Sequence, residues 1–119
     1  MKLSVAIATY NEEKNIEKCL NCVKEIADEI VVVDGTSTDN TADIAKKFGA
    51  KILVKDNPSM FHINKQKAID LSTGDWILQL DADEYISREL ASEIKKIVYM
   101  SDSEIYEYEK EIPQLFKRH

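Results

Sequence analysis

The chain has 119 residues, which fits one domain with one real core. Its 44% hydrophobic and 32% charged residues are an ordinary globular balance. A formal net charge of −6 argues against non-specific nucleic-acid binding, which needs a basic face, while leaving nucleotides open, because a local cation can offset local acid. No apolar run approaches the roughly 20 residues that span a bilayer. Met1-Lys2-Leu3-Ser4 runs straight into a strand-like stretch without a signal-peptide pattern, so a cytoplasmic protein is expected, with peripheral membrane contact left open.

The apolar period then switches repeatedly. Lys2 to Ala8 reads as a first strand. Asn11 can cap a helix whose positive end suits Glu12 and Glu13, and Ile16, Leu20, Val23 and Ala27 form its apolar face. Cys19 and Cys22 fall inside that helix, away from the N-terminal position that stabilises a thiolate, and have no second Cys or His pair nearby. Small buried hydrophobes are therefore expected rather than a redox or zinc pair. Glu29 to Val33 is continuous and β-branched, as in a buried parallel strand. A loop at Asp34-Gly35-Thr36-Ser37 leads to a helix from about Asp39 to Phe48, which Gly49 stops. Lys51 to Val54 is a third strand, and Asp56-Asn57-Pro58-Ser59 is turn chemistry. A helix with a weaker apolar stripe spans about Ile63 to Leu71 and is ended by Gly74. Asp75 to Leu80 is a fourth strand with Trp76, Leu78 and Leu80 on one face, and Ser87 caps a helix that turns Leu90, Ile94 and Ile97 to the core. Around Tyr106 and Tyr108 the tail alternates like an edge strand, whereas Lys117-Arg118-His119 reads as a frayed end.

Strand and helix alternating in this way imply an α/β fold: an open, mostly parallel twisted sheet with helices on both faces, in a single domain over residues 1–119. Such sheets bind ligands outside the carboxyl ends of their strands. Those ends carry Thr9-Tyr10-Asn11-Glu12, Asp34-Gly35 and Asp81-Ala82-Asp83-Glu84. In extended chain Asp81 and Asp83 would face the same side roughly 6–7 Å apart and repel by about 2.5 kcal/mol, a cost that a hard divalent cation, Mg²⁺ or Mn²⁺, would offset. A solvated acidic turn capping the next helix is the alternative reading. Asp34 could accept hydrogen bonds from a ribose or base, or close the Gly35 loop. Tyr10 could stack on a base or pack at the edge, and Thr9 and Glu12 could contact a ligand or cap a helix. Lys65 and Lys67 could reach a diphosphate, with a solvated face the better reading for Lys67, and His62 is an ordinary loop histidine. Three glycines, Gly35, Gly49 and Gly74, cannot build a dinucleotide or Walker loop, and there is no nucleophile-elbow pattern. Thr9-Tyr10-Asn11 stands where a phosphoacceptor domain would need acids.

Ala8-Thr9-Tyr10-Asn11-Glu12-Glu13, Val31-Val32-Val33-Asp34-Gly35-Thr36-Ser37-Thr38-Asp39-Asn40-Thr41 and Thr73-Gly74-Asp75-Trp76-Ile77-Leu78-Gln79-Leu80-Asp81-Ala82-Asp83-Glu84 together resemble family 2 glycosyltransferases in order and spacing. The likeness covers about residues 1–100 and includes enzymes similar to the lipopolysaccharide-core glucosyltransferases. It implies a Rossmann-like GT-A fold and inverting transfer from a nucleoside-diphosphate sugar, most simply a UDP-sugar, to a glycan or lipid-linked acceptor in cell-envelope polysaccharide synthesis. By the same resemblance Thr9, Tyr10 and Glu12 line the nucleotide pocket and Asp34 meets base or ribose. Lys65 approaches the diphosphate, Asp81 sits by the ribose and a metal water, and Asp83 binds Mg²⁺ or Mn²⁺. Thr36 stands where relatives often carry Gly or Ser, a tolerable change in a loop. Relatives also continue into an acceptor-binding half that supplies a general base, and Glu104, Glu107, Glu109 and Glu111 match no such motif. The catalytic base is therefore unassigned, and a donor-binding module without turnover, or one completed by a partner chain or a second copy, is the alternative function.

Overall fold

The computed structural model describes residues 2–57, 62–101 and 103–104, together with the backbone of 116–118. Among the described residues the elements are, in order, β1 (Leu3–Thr9), α1 (Ile16–Val23), β2 (Glu29–Asp34), α2 (Thr41–Lys47), β3 (Lys51–Val54), α3 (His62–Leu71), β4 (Trp76–Asp81), α4 (Arg88–Val98) and β5 (Phe116–Arg118). The sheet order is β3-β2-β1-β4-β5. The first four strands are parallel, with β1 between β2 and β4, and β5 is antiparallel to β4.

Burial explains the elements. β1 and β2 are buried along their whole length, as the continuous apolar runs require when helices cover both faces of a sheet. Alternate side chains then divide between two cores. Leu3, Val5, Ile7, Trp76, Leu78 and Leu80 pack with Ile16, Leu20 and Val23 of α1 and Ile94 and Ile97 of α4. Ala6, Val31, Val33 and Ile77 face the other way, onto Ala68 of α3. The expected two-faced α/β sheet is therefore present, with α1, α2 and α4 on one side and α3 on the other. The chain steps outward from β1 to β2 to β3 and then returns across the sheet to β4, so the switch point lies between the carboxyl ends of β1 and β4.

Several local expectations change, among them that Leu90 of α4 faces the core: it is 39% exposed. Asn11 does not cap α1: its φ is 51°, a left-handed conformation that asparagine tolerates, and the helix begins five residues later after a turn closed on the Glu12 carbonyl. Gly74 does not stop α3, which ends at Leu71. Gly74 instead lets β4 approach β1, since a Cβ there would lie 2.6 Å from Ser4 Oγ. His62 is the first residue of α3 rather than part of a loop. Of the basic end, Lys117 and Arg118 are not frayed, because Phe116–Arg118 pair with Leu78, Ile77 and Trp76 as an edge strand. The edge strand expected around Ile105 to Ile112 lies outside the described residues.

Candidate functional site

Three strand ends meet at the carboxyl edge, and the register aligns them: Thr9 stands beside Asp34, and Ala8 beside Asp81. Thr9 and Asp34 are 0% and 2% exposed. Thr9 Oγ1 donates to Asp34 Oδ1 at 2.7 Å, while Ser37 donates to the same carboxylate from its backbone N at 2.8 Å and from Oγ at 2.6 Å. Three donors satisfy most of what a carboxylate can accept. The loop-closing role of Asp34 is thus realised, and Thr9 and Asp34 form the floor of the edge.

The loops after β1 and β2 are laced together above that floor. Asn11 N donates to Ser37 Oγ, and Thr38 N donates back to Asn11 Oδ1, each at 2.8 Å. Glu12 N donates to Thr41 Oγ1, and Asn40 N to Glu13 Oε2, again each at 2.8 Å. The Glu12 carboxylate itself accepts from Asn15 Nδ2 at 3.0 Å, serving the start of α1. Tyr10 emerges from this clamp with 40% of its surface exposed, beside the switch point. Asn11, expected as a helix cap, instead bonds Ser37 and Thr38, and neither of those two stands out as a contact residue in the sequence. The hydroxyl-rich run after Gly35 was the available signal. Thr36, at the tip of the second loop, has a φ of 63°, and its Oγ1 donates to the Lys55 carbonyl at 2.8 Å. Left-handed backbone is costly for a β-branched residue, so the expectation that threonine is readily tolerated here is corrected.

At the end of β4 the extended-chain spacing of the two acids does not apply. Residues 82 and 83 form a turn, closed by Glu84 N donating to the Asp81 carbonyl at 2.9 Å, while Asp81 N donates to Glu84 Oε1 at 2.8 Å. Ala82 is 3% exposed and joins the core, Asp81 is half-buried and Asp83 is exposed. α3 delivers Lys65, whose Nζ lies 2.7 Å from Asp81 Oδ1. Gln79 Nε2 donates to the same oxygen at 3.3 Å. Lys67 is exposed. Below the turn, burial, reinforced by Cys22 and the acids Glu84, Asp83 and Asp81, pushes the Cys19 thiol up to about 12, and Cys22 Sγ donates to the Cys19 carbonyl at 2.9 Å. Both cysteines are free, Cys19 is buried, and the pair packs as small apolar residues.

Asp81 and Asp83 offer hard oxygen donors, and no group of three or more His, Cys, Asp or Glu that could hold a metal occurs among the described residues. That set suits an Mg²⁺- or Mn²⁺-like ion, which keeps waters and takes one or two carboxylates together with substrate phosphates. A self-sufficient protein cage is a different design.

The model of the family described as glycosyl transferase family 2 matches residues 4–110. The chain belongs to that family. This family 2 chain is 42% identical over 106 residues to an uncharacterized glycosyltransferase of Rickettsia typhi, covering 88% of this chain and 36% of that protein. It is similar to the crystal structure of S. aureus TarS 1-349 in complex with UDP, at 30% identity and a TM-score of 0.65, over 82% of this chain and 32% of that one. It is also similar to the mannosyltransferase PcManGT of Pyrobaculum calidifontis in complex with GDP-Man and Mn²⁺, at 27% identity and a TM-score of 0.66, over 79% and 31% of the two chains. The resemblance read from the three motifs and the GT-A architecture both hold, and the chain spans about a third of the length of these relatives.

Proposed function

We propose that this chain is the donor-binding part of a nucleotide-sugar glycosyltransferase. The observation that carries the reading is the Lys65–Asp81 pair at the switch point, with Asp83 exposed beside it and Tyr10 exposed across it. An aromatic face, a cation and two carboxylates at one edge match the base, diphosphate and metal-bound parts of such a donor. The family match and the UDP and GDP-mannose complexes of TarS and PcManGT support it.

In this reading Tyr10 stacks on the base, and Thr9, Glu12 and Asp34 shape its pocket by holding the two loops. Lys65 neutralises the diphosphate. Asp81 and Asp83 hold Mg²⁺ or Mn²⁺, which when bound supplies Lewis-acid stabilisation of the departing diphosphate. The inverting course and a glycan or lipid-linked acceptor belong to the same proposal and rest on the family pattern. A general base for the acceptor hydroxyl is still to be assigned.

Calorimetry with UDP-, GDP- and other nucleoside-diphosphate sugars, with and without Mn²⁺, tests the reading. Binding that strengthens with Mn²⁺, and loses that dependence in Asp83→Ala, is expected. A folded protein that binds none of them sinks it. Because the chain spans about a third of its relatives, release of free nucleoside diphosphate in the presence of acceptor glycans separates turnover from donor binding alone.

A further inference from the structure

We propose that the groove between α1 and α4 docks an anionic phospholipid surface. It is a cavity of about 590 Å³ on the outer side of the larger core, lined by Lys18, Lys24, Arg88 and Lys95, with Glu25 the one carboxylate among the described residues that line it. That is a local inversion of sign in a chain of net charge −6. The inversion is built into the helix spacing. On α4, Arg88, Ala91, Ser92 and Lys95 share the face that lines the groove, while Glu89 and Glu93 lie off it.

The floor between these cations is apolar, formed by Ile26, Ile86 and Ala91. Tyr85, 58% exposed, also lines the groove, with Lys18 Nζ 3.9 Å from its ring centroid. Arg88 and Lys95 stand about 10 Å apart along the helix, so the positive charge is spread over a surface rather than converging on one ion. Distributed basic groups over a recessed apolar floor, with an exposed amphipathic tyrosine, match a layer of phosphate headgroups above acyl chains. An acidic peptide would satisfy the cations but leaves the exposed tyrosine ring and recessed floor without a specific counterpart.

Co-sedimentation of the chain with vesicles of phosphatidylglycerol in phosphatidylcholine, against phosphatidylcholine alone, tests this. Salt-sensitive binding to the anionic vesicles is expected. Arg88→Glu/Lys95→Glu should cut partitioning by roughly tenfold or more. The equal charge change Lys46→Glu/Lys96→Glu, off the groove, should leave it within about twofold by the same reasoning. Matching thermal midpoints show that both variants fold, and Arg88→Gln/Lys95→Gln gives a milder form if they do not. No binding to anionic vesicles, equal loss in both charge variants, or capture of an acidic peptide without vesicle binding would overturn the proposal. The measurement uses no nucleotide, so it stands or falls apart from the donor-site reading.

Discussion

Lys65 of α3 and Asp81 at the end of β4 meet at 2.7 Å, with side chains 28% and 39% exposed. An ion pair so open to water contributes little to stability, at most about 1 kcal/mol. Its consequence is local: it places an ammonium among Asp81, Asp83 and Glu84, where a diphosphate would otherwise meet only like charge. Lys65→Met should therefore leave the thermal midpoint nearly unchanged. It should weaken UDP binding by about tenfold, the scale of one lost charge-assisted contact. Uridine, which has no phosphate, should bind Lys65→Met as it binds the parent. Calorimetry with both ligands is the check, and equal losses for uridine and UDP would refute a phosphate role.

Thr36 pays for its left-handed backbone. The conformation costs an L-residue roughly 1–2 kcal/mol, against which its exposed hydroxyl bond to the Lys55 carbonyl returns about 0.5–1 kcal/mol. Thr36→Gly should come out stabilising by a few tenths to about 1 kcal/mol, raising the midpoint by a few degrees in a domain of this size. Neighbouring Gly35 should behave in the opposite way, because a Cβ there would sit 3.0 Å from Asn57 Cβ. Thermal melts of Thr36→Gly and Gly35→Ala should shift in opposite directions, and a destabilised Thr36→Gly would contradict the strain argument.

The strand ends were legible because Ile30 to Val33 and Trp76 to Leu80 each drive an apolar run to the sheet edge and stop at an acid, so burial alone placed Asp34 and Asp81. What those acids do there was not legible. Asp34 could point up to a ligand or down to Thr9, and only the three-dimensional proximity of Thr9 Oγ1 and Ser37 decides it. Asn11 was misread because a helix cap and a left-handed turn use the same asparagine chemistry, and nothing local separates them. Lys65 was named with Lys67 from its place in the helix before β4, but α3 buries only Asn64 and Ala68 and its stripe does not say which way the helix faces, so the meeting with Asp81 was not legible. The pairing of Phe116–Arg118 with β4 joins segments far apart in sequence, which no local pattern announces.

The cysteines give a prediction of inertness. With burial and the nearby acids holding the Cys19 thiol up at about 12, its thiolate is scarce at neutral pH. In native protein near neutral pH a disulfide-exchange reagent should leave Cys19 unmodified, and should reach it only after denaturant is added. Peptide mapping of the labelled protein identifies the site. Rapid native labelling of Cys19, or a Cys19–Cys22 disulfide formed under mild oxidant, would restore the redox reading.

Glu29, at the amino end of β2, predicts how the fold responds to acid. It is 6% exposed and accepts hydrogen bonds from Ser4 Oγ at 2.6 Å and Thr73 N at 2.8 Å, with Lys51 paired to its other oxygen. Burial alone would push its pKa up. The hydrogen bonds from Lys51, Ser4 and Thr73 outweigh that and bring it down to about 2. The folded state therefore binds this proton more weakly than the unfolded chain, where the value is near 4.3. The stabilisation is fully present above the unfolded value and is lost as pH falls from there toward 2, a contribution on the order of 3 kcal/mol. Glu29→Gln should thus be markedly less stable than the parent at about pH 6 and much closer to it near pH 2–3, where the parent carboxylate is becoming protonated. Denaturant melts of both proteins across that range measure the gap, and a gap that stays constant with pH would show that the network acts through packing rather than through the charge.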